Sequence, residues 1–125
     1  MTTPFSDDMS DSVDRILPRH VFEGRIRIRL QRDNKKLSRQ GWARDLSESG
    51  LGAFVAEPLI LGELVTLDVP MGDSDKQTIP ARVSRALGTE YGFQFTALST
   101  EQRKLIQATL RGRPAIPHDG NRRRL

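Results

Sequence analysis

The chain is 125 residues long, with 36% hydrophobic and 29% charged residues, which suits one domain with a core and is too short for two comfortable ones. The absence of cysteine excludes disulfides, thiol catalysis and cysteine-ligated zinc, and His20 and His118 are the only imidazoles, so no structural metal is expected. The net charge of +4 is polarised: residues 1–14 hold four aspartates and no base, residues 15–36 hold eight bases against Glu23 and Asp33, and residues 111–125 hold five bases against Asp119. Such edges favour an anionic partner without naming it.

In chain order, residues 1–13 ("MTTPFSDDMSDSV") read as a flexible acidic tail with too little apolar content for a fixed shape. Aspartates stand where a signal peptide carries a basic region, and no apolar run approaches the ~20 residues of a membrane span. A cytoplasmic location without membrane insertion is therefore expected. "EGRIRIRL" alternates Arg25, Arg27 and Arg29 with Ile26, Ile28 and Leu30, the period of a strand with one wet and one buried face. "LSRQGWARDL" and "GLGAFVA" are two further strands joined by a turn at residues 47–50. "ELVTLDVP" buries Val65, Leu67 and Val69 and points Thr66 and Asp68 outward. "TIPARVSRAL" sets Ile79, Ala81 and Val83 on one face, with Pro80 confining it to a sheet edge or bulge. "EYGFQFTAL" groups Tyr91, Phe93 and Phe95.

The period changes once. Ser99 and Gln102 form a capping-box pattern, and Leu105, Ile106, Thr109 and Leu110 then share a helical face before Gly112. Residues 113–125 ("RPAIPHDGNRRRL") read as a flexible basic tail, which leaves residues 14–112 as the folded domain. Six short strands and one C-terminal helix make the chain all-β, with a small antiparallel barrel or sandwich as the architecture.

Two constellations carry chemistry. "RILPR" places Arg15 and Arg19 on an extended or turning segment, because Pro18 drives Leu17 out of helical geometry. Guanidinium forks match phosphate oxygens and the O6/N7 edge of guanine, although, taken alone, the pair reads better as a solvated charge pair where the tail meets the barrel. "DLSESG" sets Asp45 and Ser47 on one side of an extended segment, with Gly50 free to take positive φ or admit a ligand. Asp45 can accept from guanine N1–H and N2–H₂ or hold an arginine in place, and Ser47 can donate to phosphate. The competing reading is a β-turn closed by its own side chains. Arg44 alternates with Asp45 and is expected to face away. Trp42 and Tyr91 fit core or rim packing better than base stacking, and His20 reads as a surface residue at a strand start. Asp45, Ser47 and His20 formally allow a hydrolytic site, but no nucleophile elbow or oxyanion loop accompanies them, so the chain reads as a non-enzyme.

R-x-x-x-R at residues 15–19 followed by D-x-S-x-x-G at residues 45–50 resembles the signature of the PilZ domain family, bacterial receptors for cyclic di-GMP. "GLGAFVAEPLILGELVTLDV" is similar to the family's strand, loop and strand after the glycine, "ARVSRALGTEYGFQF" to its later arginine-containing strand and the G-x-x-F strand that closes the barrel, and "STEQRKLIQATL" to its final helix, so the resemblance spans Arg15 to Leu110. It implies a six-stranded antiparallel β-barrel with one C-terminal α-helix and flexible termini. It also implies cyclic di-GMP as ligand, with Arg15 and Arg19 on guanine and phosphate and with Asp45, Ser47 and Gly50 lining the same pocket. No cofactor is implied beyond that ligand, and the expected output is regulation of an unidentified effector protein. Asp14, just before Arg15, departs from the family pattern at the position that influences whether one ligand or a stacked pair binds. The alternatives are a nucleic-acid-binding barrel using "RIRIRLQRDNKK" and the terminal arginines, and a PilZ-type adaptor that binds no ligand.

Overall fold

A computed structural model describes residues 17–72 and 76–116 of the chain. Asp14, Arg15, the acidic tail and the terminal arginines lie outside the described residues. The elements are β1 (His20–Arg32), β2 (Lys35–Leu46), β3 (Gly50–Val55), β4 (Leu64–Val69), β5 (Gln77–Leu87), β6 (Glu90–Phe95) and α1 (Thr100–Leu110). The strands close in the order β1-β2-β3-β6-β5-β4, every neighbouring pair antiparallel. A barrel, rather than a sandwich, answers the edge problem: each strand has two partners.

The alternation read from the sequence sets the inside and outside of this barrel. Ile26, Ile28 and Leu30 of β1, Leu67 and Val69 of β4, Ile79 and Val83 of β5, and Tyr91 and Phe93 of β6 are all buried in one cluster. Two residues turn β1 into β2: Asp33 at φ 51° and Asn34 at φ 64°, the left-handed pair that matches strand twist in a tight hairpin. Pro80 is accommodated where β6 has run out. Its carbonyl accepts from Thr96 N at 2.9 Å, while Ala81↔Phe95 is the last β5–β6 pair, so its missing N–H breaks no ladder.

The helix starts as the capping box predicts. Ser99 Oγ accepts from Gln102 N at 3.0 Å, and Gln102 Oε1 accepts from Ser99 N at 3.1 Å. The Gln102 side-chain amide also donates to the Thr78 carbonyl at 3.0 Å, which ties the helix start to β5. Ile106 and Leu110 then join the barrel's core cluster.

Three sequence expectations are corrected. Asp68 is on the outer face but is covered rather than solvated. Arg29 grips it in a two-point fork at 2.9 and 2.7 Å, and Thr78 Oγ1 donates to it at 3.1 Å. The basic tail expected from residue 113 is anchored at its start. Val21 N donates to Pro114 O at 2.9 Å, Ile116 N donates to Arg19 O at 2.8 Å, and His20 and Ala115 form an antiparallel bridge. His20 is consequently half-buried, and its Nδ1 is buried with no hydrogen-bond partner.

Candidate functional site

The anchored start of β1 positions Arg19. With its carbonyl fixed by Ile116, the Arg19 guanidinium reaches across to β2, and Nη1 donates to Asp45 Oδ1 at 2.8 Å. The pair is open to water: the side chains are 38% and 19% exposed. The second member of R-x-x-x-R and the first of D-x-S-x-x-G are therefore in contact, and Asp45 takes the arginine-holding role, one of the two that its chemistry allows.

Asp45 stands where β2 is irregular. Ala43 pairs with Ala53 and Asp45 with Gly52, so Arg44 is an extra residue with no partner in β3. Such a bulge cancels the alternation of facing. Arg44 does not turn inward. Its guanidinium stacks 4.8 Å from the Phe54 ring centroid and comes within 3.9 Å of Glu90. Both charged side chains lie on the outer face, Arg44 toward Phe54 and Asp45 over Gly52. Trp42, paired with Phe54, is on the same face and 44% exposed, whereas Tyr91 is in the core with its hydroxyl accepting from Leu59 N at 3.1 Å.

Ser47 and Gly50 shape the turn that follows. Ser47 is buried, and its Oγ accepts from Ser49 N and Gly50 N at 3.2 Å each, while Ser47 N donates to Gly50 O at 2.9 Å. The competing turn reading therefore describes this hydroxyl well: it closes the turn through its own backbone. Gly50 does not use positive φ. It pairs with Gln94, and a Cβ at this position would overlap the Phe93 carbonyl oxygen, so the close approach it permits is that of β6. Arg15 lies outside the described residues. The structure thus brings Arg19, Asp45, Ser47 and Gly50 to one rim of the barrel, at the junction of β1, β2, β3 and β6.

The outer face beyond Asp45 carries residues that the sequence reading missed. Gly52 and Gly92 are direct partners in the β3–β6 ladder. A Cβ on Gly52 would meet the Asp45 carboxylate oxygens at 2.8 and 2.9 Å, and one on Gly92 would meet Arg85 Cβ at 3.2 Å and its guanidinium carbon at 3.6 Å. Two bare backbone positions thus let one carboxylate and one guanidinium fold down side by side from opposite strands. Arg85 pairs with Gly92 just past a register shift after Val83. The glycines of "GLG" and "YGF" were visible in the sequence; only the β3–β6 pairing makes them adjacent.

Electrostatics elsewhere on the barrel are set by arginine forks. The two-point hydrogen bond from Arg29 holds the Asp68 carboxyl below the ordinary carboxylate range, and the Arg32 hydrogen bond does the same for Glu63. Arg29 and Arg32, two of the basic residues on β1, are thereby engaged by acids. No group of acidic or histidine side chains suited to a metal occurs among the described residues, and none of their helices is long and apolar enough to cross a membrane.

The PilZ domain profile matches residues 15–112. No curated protein matches the chain. Among solved structures, the PilZ domain of CeSA from a cellulose-synthesising bacterium is similar with a TM-score of 0.60 at 21% identity, over 75% of this chain and 95% of that one. The PilZ domain of YcgR from Escherichia coli, solved with c-di-GMP, is similar with a TM-score of 0.60 at 17% identity, over 75% and 86%. The Bacillus subtilis inhibitor of motility MotI/DgrA is similar with a TM-score of 0.57 at 16% identity, over 76% of this chain and 49% of that one. With the profile covering the barrel and its helix, and with the barrel closed in the same form as those structures, the chain belongs to the PilZ domain family.

Proposed function

We propose that this PilZ domain is a cytoplasmic, non-enzymatic receptor that binds cyclic di-GMP, changes conformation on binding and regulates a partner protein. The observation that carries the reading is the 2.8 Å contact between Arg19 and Asp45, which joins the two signature motifs at one solvent-open rim. A doubly anionic dinucleotide calls for cationic forks, and its guanine edge calls for an acceptor. Arg15 and Arg19 supply the forks and Asp45 the acceptor, while Ser47 and Gly50 hold the turn that presents Asp45. Two or more arginine contacts at ~1–3 kcal/mol each, with Asp45 added, approach the ~8 kcal/mol of a micromolar complex. The partner belongs to motility, exopolysaccharide synthesis or chemotaxis; the similarity to a YcgR domain solved with c-di-GMP and to an inhibitor of motility supports this range.

The nucleic-acid reading loses ground because Arg29 and Arg32 are committed to Asp68 and Glu63, which halves the free charge along that face of β1. Titration calorimetry with cyclic di-GMP tests the proposal. The wild-type chain is expected to bind with micromolar affinity, and Arg15→Ala to weaken it at least tenfold. Random RNA and DNA titrated at two salt concentrations are expected to bind more weakly and to fade steeply with salt. No measurable cyclic di-GMP binding by the wild-type chain would overturn the receptor reading in favour of a ligand-independent adaptor.

A further inference from the structure

We propose that the loop between β3 and β4 is a membrane-surface contact: Ile60, Leu61 and Leu64 enter the headgroup boundary of an anionic bilayer while Lys35, Lys36 and Arg82 meet its phosphates. The inference does not depend on the receptor reading and goes beyond it.

The loop "EPLILGEL", residues 57–64, divides its apolar side chains between two destinations. Leu59 is buried in the core cluster, whereas Ile60, Leu61 and Leu64 are 56%, 63% and 62% exposed. Three of the six large apolar side chains exposed among the described residues thus fall within five positions. The loop is braced in this shape. Gly62 turns at φ 88° and donates to Val83 O at 2.8 Å, Val83 N donates back to Glu63 O at 2.9 Å, and Glu63 N donates to Ile60 O at 3.0 Å. The Glu63 carboxylate accepts from Ile60 N at 3.0 Å and from Arg32 at 2.6 and 2.9 Å. Three aliphatic side chains are therefore held outward in water, where an apolar phase would relieve their hydration.

The backbone and the side-chain chemistry both favour a bilayer over a protein as that phase. The amides of Leu59, Ile60, Gly62 and Glu63 are all bonded within the protein, which is the condition for entering a medium that offers no hydrogen bonds. A docking protein could supply partners and makes no such demand. The exposed group is also purely aliphatic, whereas protein hot spots are enriched in Trp, Tyr and Arg and poor in Leu.

The surrounding charge selects anionic lipid. Arg82 is the direct partner of Leu64 in the β4–β5 ladder, and Lys36 lines one cleft with Leu64. Lys35 pairs with Arg32, whose guanidinium also donates to the Pro58 carbonyl of the loop at 3.3 Å. All three cations are exposed, and none has an ion-pair partner among the described residues. The acids of the loop are already met, Glu63 by Arg32 and Glu57 by Arg39, which leaves Asp33 of the β1–β2 turn against three cations. A shallow apolar contact and a basic patch are each weak alone and hold a protein on a bilayer together, with no spanning segment. β3 begins at Gly50 on the ligand rim and ends at Val55 just before the loop, so the two sites lie at opposite ends of that strand.

The test is flotation of the full chain with vesicles of phosphatidylcholine alone and of phosphatidylcholine mixed with phosphatidylglycerol, at low and high salt. Each variant is checked for an unchanged thermal midpoint. The wild-type chain is expected to float with the mixed vesicles at low salt, to weaken several-fold at high salt, and to stay behind with phosphatidylcholine alone. Ile60→Ser with Leu61→Ser removes the apolar contact, and Lys35→Gln with Lys36→Gln removes two cations; each pair is expected to weaken partition at least tenfold. Val21→Ser, which removes an exposed apolar side chain at the rim end of β1, is expected to match wild type. Insertion is read separately. Trp42→Phe with Leu61→Trp moves the chain's single tryptophan to the loop, and its emission is expected to shift to the blue with the mixed vesicles. Failure of the wild-type chain to float with anionic vesicles would overturn the inference and return the loop to protein docking. Wild-type partition of the Ile60→Ser, Leu61→Ser chain would also overturn it, as would flotation with unshifted emission, which marks adsorption by charge alone. An equal loss in Val21→Ser would do the same by showing general stickiness.

Discussion

Removing Arg19 and Asp45 singly and together separates the two things that Asp45 can do. In the free protein their ion pair is partly solvated, with side chains 38% and 19% exposed, so it contributes only ~0.2–1 kcal/mol to folding. For a domain of this size that is a thermal shift of at most about 8 °C, and all three variants are expected to stay folded at room temperature. Binding is affected far more. Loss of a bidentate arginine contact costs ~1–3 kcal/mol, which at 1.4 kcal/mol per decade means Arg19→Ala weakens cyclic di-GMP binding roughly 5- to 150-fold. If Asp45 only positioned Arg19, adding Asp45→Ala to Arg19→Ala would change nothing further. If its second oxygen also accepts from guanine, as proposed, the double variant is expected to lose a further fivefold or more, with a coupling energy smaller than the Asp45→Ala effect alone. Calorimetric titration of the four proteins at one salt concentration gives the cycle. Arg19→Ala binding within twofold of wild type would refute the assignment of Arg19.

Two stability predictions accompany it. Gly50→Ala places a methyl group against the Phe93 carbonyl across the β3–β6 ladder, and overpacking of this kind costs ~1–3 kcal/mol; an unchanged urea midpoint would show that β6 can yield there. Asp68 and Glu63 both titrate below the usual carboxylate range because arginines donate to them. Their contribution is complete above the ordinary unfolded values of ~3.9 and ~4.3, and it drains away as pH falls through the depressed folded values. Asp68→Asn is therefore expected to be less stable than wild type at pH 7 and to lose less on acidification. Parallel stability curves for the two proteins between pH 7 and pH 3 would contradict this.

Much of the fold was legible in the sequence because the local signals agree with the global one. The Arg/Ile alternation of β1 gave facing and burial together, and the Ser99/Gln102 pair gave the helix start to the residue. Arg44 was misread because a bulge is a property of two strands, and the alternation of one strand does not reveal it. Asp68 was misread for a related reason: its cover comes from Arg29, which is 39 residues away in sequence. Within the site, the signature motifs located Arg19 and Asp45, but the reason for Gly50 was mistaken. A glycine inside a strand marks a close approach, and only the strand order says that β6 is what approaches.

The anchoring of residues 113–116 beside the start of β1 has a further consequence. Arg19 lends its side chain to the ligand rim and its carbonyl to Ile116, and Val21 draws on Pro114. Any rearrangement of the Arg19 segment on ligand binding must carry these two backbone bonds along or break them. If the Arg19 segment moves on ligand binding as proposed, occupancy of the rim and the state of the segment after the helix are linked through these bonds. By linkage, whatever grips that segment changes ligand affinity by the same factor with which ligand changes the grip.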